Sequence, residues 1–206
     1  MGGTGKTEYI EKLCRKELKK GNMNVHYLTF NRKTAEKASV RLQGFPCSTI
    51  HSLAYQELKY FNALPQSFIK NDDQDDPDSL TEREFNQLLK IFCKHFKDPN
   101  NVFYSLTDDL ILIVDEYQNN FPELKAVIQL IARKIRIKEL YLVGDRLQYI
   151  YDYKFKDLKN FECIDDYFNH VIDQRLFLDR NYRSAPHIQH VINSFVTKSL
   201  NVFIYR

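Results

Sequence analysis

Two short segments, far apart in a chain of 206 residues, constrain its fold more than anything else. Gly2-Gly3-Thr4-Gly5-Lys6-Thr7 reads as most of a phosphate-binding loop, and the apolar run Leu110-Ile111-Leu112-Ile113-Val114 ends in Asp115-Glu116. A glycine-rich turn exposes backbone N–H groups to phosphate oxygens, Lys6 adds positive charge, and the Thr7 hydroxyl suits Mg²⁺. A carboxylate at the end of a buried strand can hold the same metal, and its neighbour can activate water. Each signal alone has a plain explanation: a glycine-rich terminus, or a strand that happens to end in acid. Together they predict a P-loop nucleoside triphosphatase. Aligned on Gly5-Lys6-Thr7, the first glycine of the loop pattern falls one position before Met1. The strand that feeds such a loop also has no counterpart, so the expectation is an N-terminally incomplete chain whose sheet lacks its first strand.

Apolar runs alternate with amphipathic stretches, the pattern of an α/β protein with a parallel sheet flanked by helices. Residues 7–20 read as a helix with Ile10, Leu13, Cys14 and Leu18 on one face, stopped by Gly21-Asn22. Residues 25–30 read as a strand, 32–42 as a helix, and 48–50 as a short strand entering a helix from 51 to about 60. Residues 71–79 form an acidic loop; Thr81 caps a helix through 96, with Glu84 placed for a capping box. The run at 110–114 is a strand buried on both faces. A helix at 122–135, strands at 140–143 and 177–178, a helix from Pro186 to about 199, and a strand at 201–205 complete the reading. The loop at the start, Asn31, Asp115-Glu116 and Gly144-Asp145 all fall at or past strand ends, where open α/β sheets bind ligands.

Charge and cysteine usage narrow the setting. Seven acids and one arginine lie within 71–84, so the rest of the chain is more basic than the net charge of +3 suggests. That suits a polyanionic partner or simply a solvated surface. The four cysteines form no C-x-x-C pair, which points away from zinc and disulfide frameworks and toward a reducing, intracellular setting: cytoplasm, nucleus or a virus-infected cell. No stretch is long and apolar enough to suggest a membrane span, and no secretory signal pattern is present.

Five segments in order resemble superfamily 1 helicases of the UvrD/Rep/PcrA type: GGTGKT at 2–7, YLTFNRKTA at 27–35, STIHSLAY at 48–55, ILIVDEYQNN at 111–120 and LVGDRLQYIYDY at 142–153. A sixth, FLDRNYRSAPHI at 177–188, is similar to the family's motif IV. The resemblance implies a RecA-like ATPase domain over 1–175 with a short 1B-like insertion at about 61–109, and the beginning of a second RecA-like domain at 176–206. It implies ATP and Mg²⁺ as ligands. Gly3, Thr4, Gly5, Lys6 and Thr7 would bind the nucleotide, and Thr7 and Asp115 the metal. Glu116 would be the general base, Gln148 would sense the γ-phosphate, and Arg183 would reach it from the second domain. Phe30, Lys33, Thr49, His51 and Tyr153 would meet single-stranded DNA or unwinding duplex, with movement in the 3′-to-5′ direction.

Taken residue by residue, several of these have blander alternatives. Phe30 suits a core aromatic at a strand end, Tyr153 a surface tyrosine, His51 a helix-terminal histidine, and Lys33 an exposed helix lysine. Gln148 suits a solvated polar residue and Arg183 a surface ion pair. Tyr117 stands where the family has a small residue, and Asn119 where it has a second aspartate. Those departures keep a second reading open, a nucleotide- and nucleic-acid-binding module that has lost turnover. A third is a P-loop ATPase that is not a motor.

Overall fold

The structure is a computed structural model describing residues 5–42, 44–68, 81–117, 122–145, 175–177 and 202–205. Helix α1 (Lys6–Lys19) precedes strand β1 (Val25–Thr29), α2 (Arg32–Arg41), β2 (Cys47–Thr49) and α3 (Ile50–Tyr60). A 3₁₀ turn at Gln66–Phe68 and helix α4 (Glu82–His95) lead to β3 (Leu110–Asp115), α5 (Pro122–Lys134), β4 (Ile137–Asp145), β5 (Arg175–Phe177) and β6 (Val202–Tyr205).

The six strands form one sheet in the order β2-β1-β3-β4-β6-β5. The first four run parallel, with Tyr27 opposite Ile113, Leu28 opposite Val114, and Asp115 opposite Val143. Both neighbours of β3 are therefore strands, and its six residues are all buried, as its unbroken apolar sequence requires. Alternate residues of β3 feed two separate cores. Ile111 and Ile113 join Val25, Tyr27, Tyr141 and Val143 beneath α1 and α2. Leu110, Leu112 and Val114 join Leu28 and Leu142 beneath α3, α4 and α5. The result is a three-layer α/β/α sandwich around a four-stranded parallel sheet, the RecA-like P-loop architecture expected of the motifs.

Local chemistry sets the helix ends. Gly5 caps α1 with φ 88° and Gly21 follows it with φ 73°, both in the left-handed region where a side chain is strained. Asn31 accepts from the Lys33 amide at the start of α2, and Thr49 from the Ser52 amide at the start of α3. The capping box at α4 forms as its sequence predicts: Thr81 N–H donates to Glu84 at 2.7 Å and Glu84 N–H to the Thr81 hydroxyl at 3.4 Å. Glu57 on α3 is fully buried and accepts from the Tyr104 and Ser105 amides at 2.8 Å each, which pins the loop entering β3.

Most element boundaries follow the sequence within a residue or two, with three differences. Strand β4 starts at Ile137 rather than 140, because pairing with Leu110 and Ile111 of β3 extends it through the polar Lys138 and Glu139. Strand β5 lies at 175–177 rather than 177–178. Strand β6 runs antiparallel to β4, with Leu142 opposite Tyr205, and β5 is antiparallel to β6. This pairing covers the β4 edge, whose unpaired N–H and C=O groups would otherwise face outward. The acidic loop at 71–79 and the helix from Pro186 lie outside the described residues.

Candidate nucleotide site and nucleic-acid face

The carboxyl end of β3 brings the two key segments of the sequence together. Lys6 opens α1 and is almost buried, and its Nζ lies 3.2 Å from Glu116 Oε1. The pair is separated by 110 residues in sequence, so only the fold joins it. Glu116 has φ 53°, an uncommon conformation for a residue with a side chain. That turn occurs at the residue whose carboxylate meets Lys6.

Asp115 lies deeper, at 6% exposure. Its Oδ2 accepts from the Tyr27 hydroxyl at 2.5 Å and its Oδ1 from the Glu116 amide at 2.8 Å. Burial raises the acid's pKa above its ordinary value, and the neighbouring Glu116 charge adds to this; the Tyr27 hydrogen bond and the Lys6 charge oppose it. Burial first, and then the Asp115 charge, push the Tyr27 phenol far above its usual range, so it stays a donor.

Gly5 makes no side-chain cap, so the first amides of α1 keep no side-chain partner of that kind and remain suited to an anion. Thr7 is exposed in the same turn. Of the expected nucleotide-binding residues, Gly5, Lys6 and Thr7 are consecutive at the start of α1, where Lys6 meets Glu116. Gly3 and Thr4 lie outside the described residues, as do Gln148, Tyr153, Arg183 and Asn119. Tyr117 turns into the core under α3, α4 and α5 at 1% exposure, so its bulk packs inside the domain.

A second cluster forms at the ends of β1 and β2. Phe30 is half-buried against the core and meets the His51 ring edge-on, with centroids 5.9 Å apart. His51 also packs on Phe85 of α4 at 4.3 Å. Burial lowers the His51 pKa to about 4, so the ring is neutral at physiological pH. Thr49 is buried too, its hydroxyl used in capping α3. Lys33 is exposed in the first turn of α2. An open groove of about 340 Å³ runs alongside, between α2 and the β2–α3 junction, lined by Arg32, Ser39, Ser48, Thr49 and Ser52 among others. Lys33 is thus exposed and Phe30 half-buried, with the His51 ring packed against Phe30.

Sequence reasoning missed Tyr27 and Phe85. The signal for Tyr27 was the period of β1, which puts it on the same sheet face as Ile113 and Asp115. Phe85 gave no signal, because nothing in the sequence joins α4 to His51. Among the described residues no helix is long and apolar enough to cross a membrane.

Comparisons with known proteins agree with this arrangement. A family described as an AAA domain matches residues 2–154. The chain is 28% identical over 128 residues to the RecBCD enzyme subunit RecB of Buchnera aphidicola subsp. Acyrthosiphon pisum, covering 59% of this chain and 10% of that protein. It is 31% identical over 93 residues to the ATP-dependent DNA helicase Rep of Buchnera aphidicola subsp. Baizongia pistaciae, covering 45% and 13%. It is 31% identical over 114 residues to the ATP-dependent DNA helicase PcrA of Staphylococcus epidermidis, covering 55% and 15%. The matched region is thus a small part of each of these longer relatives. With a family match over most of its length and Lys6 in contact with Glu116, the chain belongs to the AAA domain family, in the group that resembles UvrD/Rep/PcrA superfamily 1 helicases.

Proposed function

We propose that this chain is the ATP-binding motor domain of a DNA helicase, which hydrolyses ATP with Mg²⁺ and couples the cycle to 3′-to-5′ movement on single-stranded DNA inside the cell. The observation that carries the reading is the Lys6–Glu116 contact at 3.2 Å beside buried Asp115, at the carboxyl ends of parallel strands.

The donor set fits Mg²⁺. That ion takes hard oxygen ligands, commonly one or two carboxylates together with phosphate oxygens and water. Asp115 and the exposed Thr7 hydroxyl would supply such oxygens, and burial together with the neighbouring Glu116 charge raises the Asp115 pKa, an effect a bound cation would oppose. Among the described residues no three His, Cys, Asp or Glu cluster as metal ligands, and a magnesium–nucleotide site does not require that many. When bound, the ion would neutralise charge on the phosphates.

The chain's own residues then divide the work. Lys6 exchanges Glu116 for phosphate oxygens, with the first amides of α1 beside it. Glu116, freed from Lys6, accepts the proton of the attacking water. Gln148 and Arg183 take the γ-phosphate roles by resemblance alone, and Tyr153 joins Phe30 as a base-stacking group on the same ground. Phe30 offers a sequence-tolerant stacking face and Lys33 a phosphate contact. Strand β1 carries Tyr27, at the nucleotide site, and leads directly into Phe30, the residue after its last, at the nucleic-acid face. It is therefore the shortest covalent path between them. The division into a RecA-like body at 1–175, with its insertion at 61–109, and the entrance to a second such domain at 176–206 rests on motif order.

The test is nucleotide binding and phosphate release, with and without an oligodeoxythymidine, for the wild type and Lys6→Ala. Wild-type turnover should rise with the oligonucleotide, and Lys6→Ala should weaken ATP binding at least tenfold, or about 1.4 kcal/mol. Hydrolysis indifferent to DNA would favour a non-motor ATPase. Binding without turnover would favour a regulatory module.

A further inference from the structure

We propose that Tyr27 is a positioning residue for the metal carboxylate: its hydroxyl holds Asp115 in the orientation that receives Mg²⁺. This inference rests on the nucleotide-site reading above and adds a residue to it. The geometry is specific. Tyr27 pairs in register with Ile113, two residues before Asp115 on the adjacent parallel strand. Residues two apart share a sheet face and lie ~6.6 Å apart along the strand. A phenol spans that step, and a short side chain at position 27 would not. The hydroxyl reaches Asp115 Oδ2 at 2.5 Å while the ring stays in the core beneath α1 and α2 at 3% exposure.

The other oxygen, Oδ1, accepts from the Glu116 amide at 2.8 Å. Each carboxylate oxygen has two lone pairs. One donor on each therefore fixes the plane of the group and leaves a lone pair on each for a metal or a metal-bound water. The two anchors come from different strands, β1 and the end of β3, so rotation of the carboxylate would break at least one of them. Partners of this kind behind a metal ligand are commonly worth about 10–100-fold in metal affinity.

The experiment uses the 206-residue chain and a fluorescent ADP, titrated with Mg²⁺, for the wild type, Tyr27→Phe, Asp115→Asn and the double variant. Tyr27→Phe keeps the ring and removes only the hydroxyl. It should raise the Mg²⁺ concentration needed for half-maximal tightening of ADP by about 10–100-fold. Affinity for ADP in EDTA should change less than about twofold, which separates positioning from a general loss of structure. In the Asp115→Asn background the same change should add little, because the partner carboxylate is gone. An unchanged Mg²⁺ midpoint in Tyr27→Phe overturns the proposal, as does an equal shift in both backgrounds or a parallel loss of metal-free affinity. A wild type whose ADP affinity ignores Mg²⁺ overturns the underlying site reading as well, so the two failures are distinguishable.

Discussion

Glu116→Gln separates chemistry from architecture, because the structure gives its two effects different sizes. Glu116 makes an ion pair with Lys6 at 3.2 Å, with side chains 27% and 10% exposed. For a pair open to solvent on one side, the net contribution is about 1 kcal/mol or a little more. The same charge stands beside Asp115 and helps raise its pKa, so neutralising it also removes a repulsion. Glutamine keeps an oxygen for Lys6. The two changes oppose one another, and unfolding stability should move by no more than about 1 kcal/mol, or ~2–4 °C in Tm for a domain of this size. Turnover is another matter. A positioned general base contributes about 10²–10⁴-fold, or ~2.7–5.5 kcal/mol of barrier. The assays are a thermal melt without nucleotide, equilibrium binding of a fluorescent ATP analogue, and DNA-stimulated phosphate release. The expected pattern is an unchanged melt, retained binding and a turnover lower by at least a hundredfold. Turnover within about threefold of wild type would refute the role given to Glu116. A fall in turnover matched by an equal fall in binding would refute the idea that Lys6 leaves Glu116 for phosphate.

Two further predictions concern the proposed nucleic-acid face and pH. Phe30→Ala should weaken single-stranded DNA binding by about 1–3 kcal/mol, roughly 5- to 150-fold, with ATP affinity in the absence of DNA unchanged; anisotropy with a labelled oligonucleotide measures it, and equal losses for both ligands would mark Phe30 as core alone. His26, bonded to Ser48 at 2.9 Å, and His51, between Phe30 and Phe85, both have pKa values lowered to about 4 by burial. Their folded values lie below an ordinary histidine's, so the unfolded chain takes up protons first. Stability is then full above about pH 6.5 and is lost as pH falls toward 4, by up to ~1.4 kcal/mol per pH unit per histidine. Urea unfolding at pH 7.5, 6 and 5 checks this, and a flat profile over that range would contradict the burial of both rings.

Much of the architecture was legible before any coordinates, for reasons that differ from element to element. The β3 run is apolar at every position because both of its faces and both of its edges are covered, and few sequences need that outside a central parallel strand. Thr81 and Glu84 announce α4 because a capping box is a local, reciprocal bond pattern. The first residues of β4 include the polar Lys138 and Glu139, so its start at Ile137 is decided by pairing with β3 and not by local pattern. The antiparallel arrival of β6 depends on which edge of β4 is open, a property of the assembled sheet.

The site divides the same way. The chain's residue types and order alone determined the chemistry on offer: a lysine after glycine at the start of a helix, and two acids at the end of a buried strand. They also determined the family the motifs resemble. Only the tertiary structure decided that Lys6 rests on Glu116, that Tyr27 holds Asp115, that Tyr117 turns into the core, and that Phe85 backs His51. Local pattern fixes what a segment forms, because backbone bonds and side-chain periodicity act over a few residues. Contacts between segments far apart in the chain are fixed by sheet register and layer packing, which exist only after the chain has folded.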